Sequence, residues 1–344
     1  MLSIVVTLLV LTALVVAHEF GHYIVAKKCG IKVSEFAIGF GPKLIKWKRS
    51  GTEFSIRPFF IGGYNKFADD EEKEPVAGDF RAASLKSRFL TIIAGPAMNV
   101  IVAVILSAIY LTAVGTIVPK VTAVAQGSSA YEAGVRQGDI IKSLNGVNID
   151  FYYDFQDAAT APQGEELHIV LERGAENISL NIPYDGEAAE NGRRTTGISM
   201  GGNTEDGWEH KSFNFFEAFA LSFKWLFLIT REMIMTLGRL FFMGQGIQNM
   251  AGIVGVATIV GQAAMMGIEQ VVYLTAMLSI NLAIVNLLPI PALDGGKIVL
   301  YAVEGIRKKP APPKVENVLN IIGMVLIFGL AIFLIFQDIQ RLIT

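Results

Sequence analysis

The segment His18-Glu19-Phe20-Gly21-His22 places two imidazoles and one carboxylate within five residues. Residues four apart on an α-helix share a face, so His18 and His22 can bind the same metal ion. Glu19 stands beside them, where a carboxylate can act as the general base of zinc-assisted hydrolysis. This spacing predicts a zinc hydrolase site. The alternative is an ordinary helix that carries two incidental histidines.

The histidines lie in a segment that is apolar enough to cross a lipid bilayer. Leu2 to Ala17 and Tyr23 to Ala26 carry no charged side chain, and a span needs about 20 residues. Ionisable residues inside a span are costly and therefore indicate a functional site. The segment lacks the basic start and the small-residue cleavage site of a signal peptide, so we expect the chain to keep it.

The composition favours a membrane protein. The chain has 344 residues, of which 52% are hydrophobic and 17% are charged, and its mean hydropathy is +0.47. A net charge of −2 gives no indication of a nucleic acid partner. Cys29 is the single cysteine, which excludes an intramolecular disulfide and a zinc cluster built from thiolates.

Three further apolar segments, residues 89–118, 271–288 and 318–336, are candidate spans. The first contains the sequence AGPAMN at 94–99, whose small residues allow another helix to approach closely. The second runs into NLLPIPALDGG at 286–296, where prolines and glycines must break the helix. Unwound backbone at membrane depth is tolerated only where protein covers it or where it lines a polar cavity.

Residues 213–243 are apolar but carry Glu217, Lys224 and Arg231 at seven-residue intervals. These side chains fall near one face of a helix, which favours an amphipathic helix in the membrane interface over a spanning one. Residues 251–266 are apolar and glycine-rich, and their pattern is ambiguous.

Two regions between the apolar segments have the pattern of β-structure. Residues 30–88 contain a turn-rich kink at 37–42, a hairpin signature around 49–51 and a further short strand at 64–67. An edge strand there could accept an extended peptide, or the strands merely cover the end of the first helix. Residues 119–200 alternate like strands and include two short helical patterns, which predicts a small soluble α+β domain.

The distribution of charge predicts the orientation in the membrane. Lysine and arginine crowd residues 27–88 and 297–314, whereas residues 119–212 are acidic. The positive-inside rule therefore places both basic segments in the cytoplasm and the small domain outside. If the chain crosses the membrane in this orientation, the two histidines and Asp294 lie toward the cytoplasmic ends of their helices and can meet.

Together, HEFGH on a first membrane helix, AGPAMN on a second and NLLPIPALDGG on a third resemble the site-2 protease family of intramembrane zinc metalloproteases. The insert is similar to a bacterial PDZ domain at Val121–Val124, Gly127–Ala130, Ala133–Val135, Gly138–Ile141 and Asn145–Gly146. A PDZ domain at this position resembles the bacterial regulator of sigma-E protease branch. Members of that branch often carry two PDZ domains in tandem, and this chain has room for one.

The resemblance implies the metal centre. His18, His22 and Asp294 would be the zinc ligands, and Glu19 would be the general base. Such a set leaves a fourth position on the zinc for water. The glycines that follow Asp294 permit a sharp turn, although an aspartate at that point could instead cap a helix.

The resemblance also implies how substrate is held. Asn281 and Asn286 match membrane asparagines that contact substrate in the family. Residues five apart do not share a helical face, so one of the two could instead serve helix packing. Residues 54–67 match a membrane-associated β-hairpin that pairs with unwound substrate.

The predicted architecture is a polytopic α-helical membrane protein with about four transmembrane helices, a membrane-associated β-hairpin region and an inserted α+β PDZ domain. Residues 1–118 form an N-terminal membrane core that includes the HEFGH helix, and residues 119–200 form the PDZ domain. Residues 201–269 form a linker with the interfacial helix, and residues 270–344 form a C-terminal membrane core with the LDGG motif.

The predicted function is that of an intramembrane zinc endopeptidase in regulated intramembrane proteolysis, located in the bacterial inner (plasma) membrane with the PDZ domain outside. Its expected partners are the lipid bilayer, single-span substrates such as anti-sigma factors or remnant signal peptides, and a peptide or C-terminus at the PDZ domain. The alternative is a non-catalytic scaffold that binds protein termini, which an intact Glu19 disfavours. A zinc transporter would need acidic or histidine residues in several spans, and outside HEFGH the predicted spans have almost none.

Overall fold

A computed structural model describes residues 2–68, 76–160, 164–185, 194–201, 207–246 and 250–343. The chain divides into two compact units, Met1–Ser107 with Ser222–Thr344 and Ala108–Leu221. The helices are α1 (Leu2–Lys28), α2 (Leu85–Ala113), α3 (Ser129–Glu132), α4 (Tyr152–Thr160), α5 (Phe215–Met243), α6 (Ile253–Met266), α7 (Ile268–Leu287), α8 (Asp294–Arg307) and α9 (Pro313–Ile343). The strands are β1 (Val33–Phe40), β2 (Ile45–Arg49), β3 (Thr52–Ile56), β4 (Phe59–Phe67), β5 (Thr116–Pro119), β6 (Val121–Val124), β7 (Ile140–Leu144), β8 (Val147–Asn148), β9 (Glu166–Arg173), β10 (Glu176–Pro183), β11 (Ile198–Met200) and β12 (Trp208–Lys211).

Among the described residues, four helices (α1, α2, α7 and α9) are long and apolar enough to cross a membrane. Each of the four predicted apolar segments falls on one of them, so their helical prediction is confirmed. α2 stops at Ala113, earlier than predicted, because Gly115 adopts a φ of +81° and the chain continues as β5. Pro96 lies inside α2, and the helix continues past it.

Two more helices, α5 and α6, lie between β12 and α7 in the sequence. α5 is continuous over 29 residues and carries the polar side chains Glu217, Lys224 and Arg231. Its predicted place in the membrane interface stays a prediction. α6 is a 14-residue apolar helix that packs against α1, where a Cβ on Gly261 would lie 2.5 Å from Ser3 Cβ.

The first four strands form one sheet in the order β2-β3-β1-β4, with β1 parallel to β3 and antiparallel to β4. β2 and β3 form the predicted hairpin and turn at Ser50 and Gly51, which both have positive φ. The predicted kink at 37–42 is confirmed in part. β1 continues to Phe40, but its register shifts beside Gly39, and Gly39 and Gly41 both have positive φ. β4 lies at the edge of this sheet, within the described part of the chain, and packs against α1.

The second unit contains the predicted α+β insert. Its main sheet has the order β10-β9-β7-β8, and β5 and β6 pair with β12 and β11. Asn145 and Gly146, with φ of 49° and 80°, make a tight turn between β7 and β8. α3 begins after Ser128, whose Oγ accepts a hydrogen bond from the Tyr131 N–H. The assignment of this unit as a PDZ domain stays a prediction.

The helix breaks after α7, as the prolines and glycines predict. α7 ends at Leu287, Ala292 adopts a φ of +73°, and α8 begins at Asp294. Only glycine fits at 295, because a Cβ there would lie 2.1 Å from the Leu288 carbonyl oxygen. The break therefore places the carboxylate of Asp294 at the start of a new helix.

The basic segment 297–314 is mostly helical. Residues 297–307 belong to α8, which ends where Lys308 adopts a left-handed φ of 53°. No proline interrupts residues 297–307, and an ion pair between Glu304 and Arg88 links α8 to α2. The ion pair with α2 stabilises the helix in this basic segment.

Candidate metal centre

Three side chains from distant parts of the sequence converge at one point. His18 Nε2 and His22 Nε2 are 3.1 Å apart, as expected for residues one helical turn apart on α1. Asp294 Oδ2, from the start of α8, lies 3.0 Å from His18 Nε2 and 3.3 Å from His22 Nε2. The predicted trio is therefore assembled by the fold, and both histidines are buried.

The three atoms fit a zinc ion. Tetrahedral zinc with bonds of roughly 2.0–2.1 Å places its ligand atoms about 3.3 Å from one another, close to the three distances observed here. Asp294 Oδ2 is buried and makes no hydrogen bond in the described structure. Two imidazole nitrogens and one carboxylate oxygen are a common ligand set for catalytic zinc, so a cation would satisfy an oxygen that is otherwise unpaired.

Each histidine is oriented through its second ring nitrogen. His22 Nδ1–H donates to the Thr91 carbonyl oxygen over 2.8 Å, which turns Nε2 toward the centre. The side-chain amide of Asn99 lies 3.3 Å from His18 Nδ1, and with Oδ1 toward that nitrogen it would accept the Nδ1–H. Ser279 of α7 donates to the Asn99 carbonyl oxygen over 2.8 Å. α1, α2 and α7 are thus tied together behind the ligands.

Glycine makes room for the ligands where α1 meets α2. A Cβ on Gly95 would lie 2.2 Å from His22 Nε2, and a Cβ on Gly21 would lie 2.2 Å from the Ala94 carbonyl oxygen. Neither position leaves space for a side chain. The close helix approach that the AGPAMN sequence predicts is therefore confirmed, and it occurs at the metal centre.

Glu19 lies beside the ligands and is held by β4. The Asn65 N–H donates to Glu19 Oε2 over 3.1 Å, and Asn65 Nδ2 donates to the same oxygen over 2.8 Å. Asn65 Nδ2 also donates to the Glu19 carbonyl oxygen over 2.6 Å. The candidate base is thus fixed to the edge strand of the sheet.

A cavity of about 380 Å³ opens onto this centre. It is lined by Val15, His18, Glu19, His22, Tyr64, Asn65, Phe67, Ile92, Leu282, Asn286, Ala292, Leu293, Asp294 and Lys297. Of the two predicted substrate-binding asparagines, Asn286 lines the cavity, and Asn281 is exposed on α7 and does not line it. The structure therefore brings Asn286 to the metal centre and leaves Asn281 apart from it.

The sequence reasoning missed several residues around the centre. Asn99 lies in the recognised AGPAMN sequence, but its contact with His18 needs the packing of α2 on α1. Asn65 follows Gly62-Gly63, and nothing local indicates that it contacts Glu19. Lys297 is one turn after Asp294 on α8 and could have been found from that spacing.

An ionic cluster stabilises the sheet that carries β4. Glu35 of β1 accepts hydrogen bonds from Arg57 Nη2 and Ser55 Oγ, each over 2.7 Å, and lies 3.3 Å from Lys43 Nζ. Burial disfavours the charged carboxylate, but these donors outweigh it and lower the pKa of Glu35 to about 2. Arg57 also stacks on the ring of Tyr64, which lines the cavity.

Comparison with known proteins places these features in a wider group. The sequence profile of peptidase family M50 matches residues 6–330. The Agrobacterium fabrum protein Atu1380 is 32% identical over 99% of this chain and 96% of its own length, and it carries the name of a zinc metalloprotease. Zinc metalloprotease RasP of Shouchella clausii is 28% identical over 97% of this chain and 98% of its own length. The Clostridium perfringens protein CPE1693, also named as a zinc metalloprotease, is 30% identical over 98% of both chains.

Proposed function

The chain belongs to peptidase family M50, a family of zinc metalloproteases, and we propose that it cleaves the transmembrane segments of other membrane proteins. Membership makes the chain a zinc metalloendopeptidase, and its four apolar helices fit a multi-pass membrane protein. One observation carries the proposal further. Two of the three converging ligand atoms lie on α1, inside a segment that is long and apolar enough to span. A protease with its centre there acts on peptide bonds within the bilayer.

Each residue of the centre has a proposed role. His18, His22 and Asp294 hold the zinc ion. When bound, zinc polarises a carbonyl group and lowers the pKa of water toward about 7. Glu19 takes a proton from the attacking water and passes it to the departing nitrogen. The peptide C–N bond breaks, and the water oxygen stays on the carbonyl carbon as a new carboxyl group.

A transmembrane substrate must unwind locally before it can be cut, because a helix hides its peptide groups in internal hydrogen bonds. We propose that the outer edge of β4 replaces those bonds by pairing with an extended stretch of substrate. β4 ends the described sheet and packs directly on the helix that carries Glu19. Asn286, which lines the cavity, supplies a further donor and acceptor for the exposed backbone.

An apolar cavity of about 700 Å³ supports lateral approach of a substrate helix. It is lined by residues of α1 and α6 and by Phe60 of β4. A hydrophobic helix that occupies this space would reach the same strand that lies beside Glu19. The cavity therefore connects a surface suited to a transmembrane segment with the place where we propose unwinding.

We propose that the second unit acts as a PDZ-type module that filters or tethers substrates. A cavity of about 190 Å³ lies between α4 and β11 and is lined by Ala158, Ala159, Ile198, Met200 and Arg194, among others. Apolar walls beside a cationic side chain suit a peptide C-terminus. The excess of lysine and arginine in residues 27–88 and 297–314 supports a cytoplasmic location of those segments, and with it an extracytoplasmic location for this module in the inner membrane of a bacterium.

The preferred substrates in this proposal are single-span membrane proteins whose outer part has already been removed, such as trimmed anti-sigma factors or remnant signal peptides. This places the enzyme in regulated intramembrane proteolysis. A bulky outer domain would collide with a filter module, whereas a short remnant would pass. Deleting residues 119–200 should accordingly widen the range of substrates that are cut rather than abolish cutting.

Purified wild type, Glu19→Gln and the exposed-site control Glu166→Gln test the proposal with a tagged single-span substrate in detergent. We expect zinc in all three proteins, cleavage by wild type and control, and a band within the membrane segment. Glu19→Gln should retain zinc and lose cleavage, since the amide cannot accept the proton. Equal cleavage by Glu19→Gln, or no zinc in wild type, would overturn the proposal and leave a membrane scaffold.

A further inference from the structure

Asn65 holds the side chain and the main chain of Glu19 at the same time. Its side-chain Nδ2 donates to Glu19 Oε2 and to the Glu19 carbonyl oxygen, and its main-chain N–H donates to Oε2 as well. The two residues are 46 positions apart in sequence, and they meet only because β4 packs on α1. The strand is thus joined to the catalytic helix at its proposed base.

The partners of Asn65 determine how its amide is turned. Both atoms within reach of Nδ2 are oxygens that accept hydrogen bonds, so the NH₂ group and not Oδ1 must face Glu19. Oδ1 is buried and has no hydrogen-bond partner in the part of the chain that the structure describes. An unpaired buried acceptor lowers stability. The amide therefore donates to Glu19 and leaves its own oxygen without a hydrogen bond, as is typical of functional sites.

These contacts restrict the Glu19 carboxylate to one position. A glutamate side chain has several staggered rotamers and would sample them in a cavity of this size. Two donors on Oε2 select one rotamer, and among the described residues no group donates to Oε1. Oε1 is therefore the oxygen that remains available to a reacting water. Small displacements of a reacting group lower the rate strongly, so such fixation matters for catalysis.

The same contact also limits the free edge of β4. Asn65 and Phe36 are paired across β4 and β1, and the Asn65 N–H points away from β1 because it bonds Glu19. Alternation places the N–H and C=O of Gly63 on that outer edge too. An extended substrate can pair with Gly63 but not with the N–H of Asn65. Pairing through the N–H groups of the outer edge is therefore interrupted beside Glu19.

We propose that Asn65 is a positioning residue for hydrolysis. It fixes Glu19 Oε2, leaves Oε1 to the water, and interrupts substrate pairing on β4 at the base. The inference rests on the proposed function, in which Glu19 takes the proton. It concerns the rate of the chemical step rather than zinc binding, because Asn65 makes no hydrogen bond to His18, His22 or Asp294 among the described contacts.

The test uses two replacements that are isosteric with each other, both shorter than asparagine. Asn65→Val removes the side-chain donor and keeps the main-chain N–H, and Asn65→Thr has the same shape with one hydroxyl that can donate to Oε2. We expect Asn65→Val to lower kcat about 10- to 100-fold with little change in KM or zinc content. Asn65→Thr should recover part of that loss. Asn177→Val, on the exposed side of β10, is the matched control and should behave as wild type.

A readout without turnover completes the design. The infrared carboxylate band that disappears in Glu19→Gln identifies Glu19 in the metal-free protein. Removing a donor from Oε2 should shift that band in Asn65→Val, restore it partly in Asn65→Thr and leave it unchanged in Asn177→Val. An unshifted band in Asn65→Val would overturn the inference directly.

The kinetic outcomes separate this inference from the function on which it rests. If Glu19→Gln is inactive while Asn65→Val keeps the wild-type kcat, the protease assignment stands and the role of Asn65 falls. A change confined to KM, or loss of zinc from Asn65→Val, would also overturn it, because Asn65 would then bind substrate or hold the metal centre together. Cleavage by Glu19→Gln would refute the proposed base and with it the role of Asn65.

Discussion

The metal centre and the ionic cluster of the first sheet use similar side chains in opposite ways. Around Glu35, Arg57 and Lys43 supply positive charge, and the carboxylate is neutralised by the protein itself. Around Asp294, the neighbours are two imidazoles, and no lysine or arginine of the described residues forms an ion pair with it. The charge of Glu35 is balanced within the folded protein, whereas the charge of Asp294 is balanced only when a cation is bound.

This difference shows what separates a structural carboxylate from a ligand. Both Glu35 and Asp294 are largely withdrawn from solvent, and burial of a charge is costly for each. Glu35 recovers that cost through donors fixed to its own sheet. Asp294 faces ring nitrogens that are held from behind by Thr91 and Asn99. A buried carboxylate whose neighbours are acceptors rather than donors therefore predicts a metal ion.

Removing the negative charge of Asp294 or of Glu35 is the strongest test of this difference. Asp294→Asn should lower zinc affinity more than about 100-fold and reduce cleavage to background, because it removes a direct ligand. Glu35→Gln should keep its zinc and most of its cleavage. Zinc per chain by elemental analysis and cleavage of a single-span substrate measure both. If Asp294→Asn retained zinc, Asp294 would not be a zinc ligand.

A smaller effect is expected at Asn99, which contacts a predicted ligand rather than the metal itself. Asn99→Ala should weaken zinc binding about 10- to 100-fold, since His18 loses the partner that orients its ring. Asn99→Asp offers an oxygen to His18 Nδ1 and should remain near wild type, which separates orientation from simple packing. Titration with buffered zinc measures each affinity. Equal affinities for wild type and Asn99→Ala would show that helix packing alone orients His18.

Much of this arrangement is visible in the sequence because it depends on local pattern. The apolar spans, the spacing of His18 and His22, and the hairpin around Ser50-Gly51 all follow from periodicity or turn preference. The helix break before Asp294 follows from prolines and glycines. These features need only a few neighbouring residues, and the structure contains each of them, although α2 ends at Ala113 rather than at residue 118.

The remaining features depend on contacts between distant segments. β1 runs through Gly39, which indicated a kink, because pairing with β3 and β4 outweighs a local turn preference. α8 is fixed to α2 by the ion pair between Glu304 and Arg88, which lie 216 residues apart in sequence. Asn65 reaches Glu19 only through the register of β4 on β1. Neither spacing nor composition contains this information.

The ionic cluster gives the last contrast, in stability rather than activity. Glu35→Gln should lower the free energy of unfolding by about 2 kcal/mol, because charged hydrogen bonds from Arg57 and Ser55 become neutral ones. The melting temperature in detergent measures the loss, and Glu166→Gln, exposed on β9, is the control. A loss of zinc without a fall in melting temperature would contradict the structural role.

The pH dependence of that stability sharpens the same point. The folded pKa of Glu35 is about 2, below the ordinary value of 4.5, so the folded state binds the proton less readily than the unfolded state. Its contribution is therefore complete above about pH 5 and is lost as the pH falls from about 4.5 toward 2. We expect the difference in melting temperature between wild type and Glu35→Gln to shrink over that range. A difference that stays constant between pH 6 and pH 3 (roughly the accessible range) would mean that shape rather than charge stabilises the cluster. The carboxylate would then not be neutralised by Arg57 and Lys43, and the contrast with Asp294 would fail.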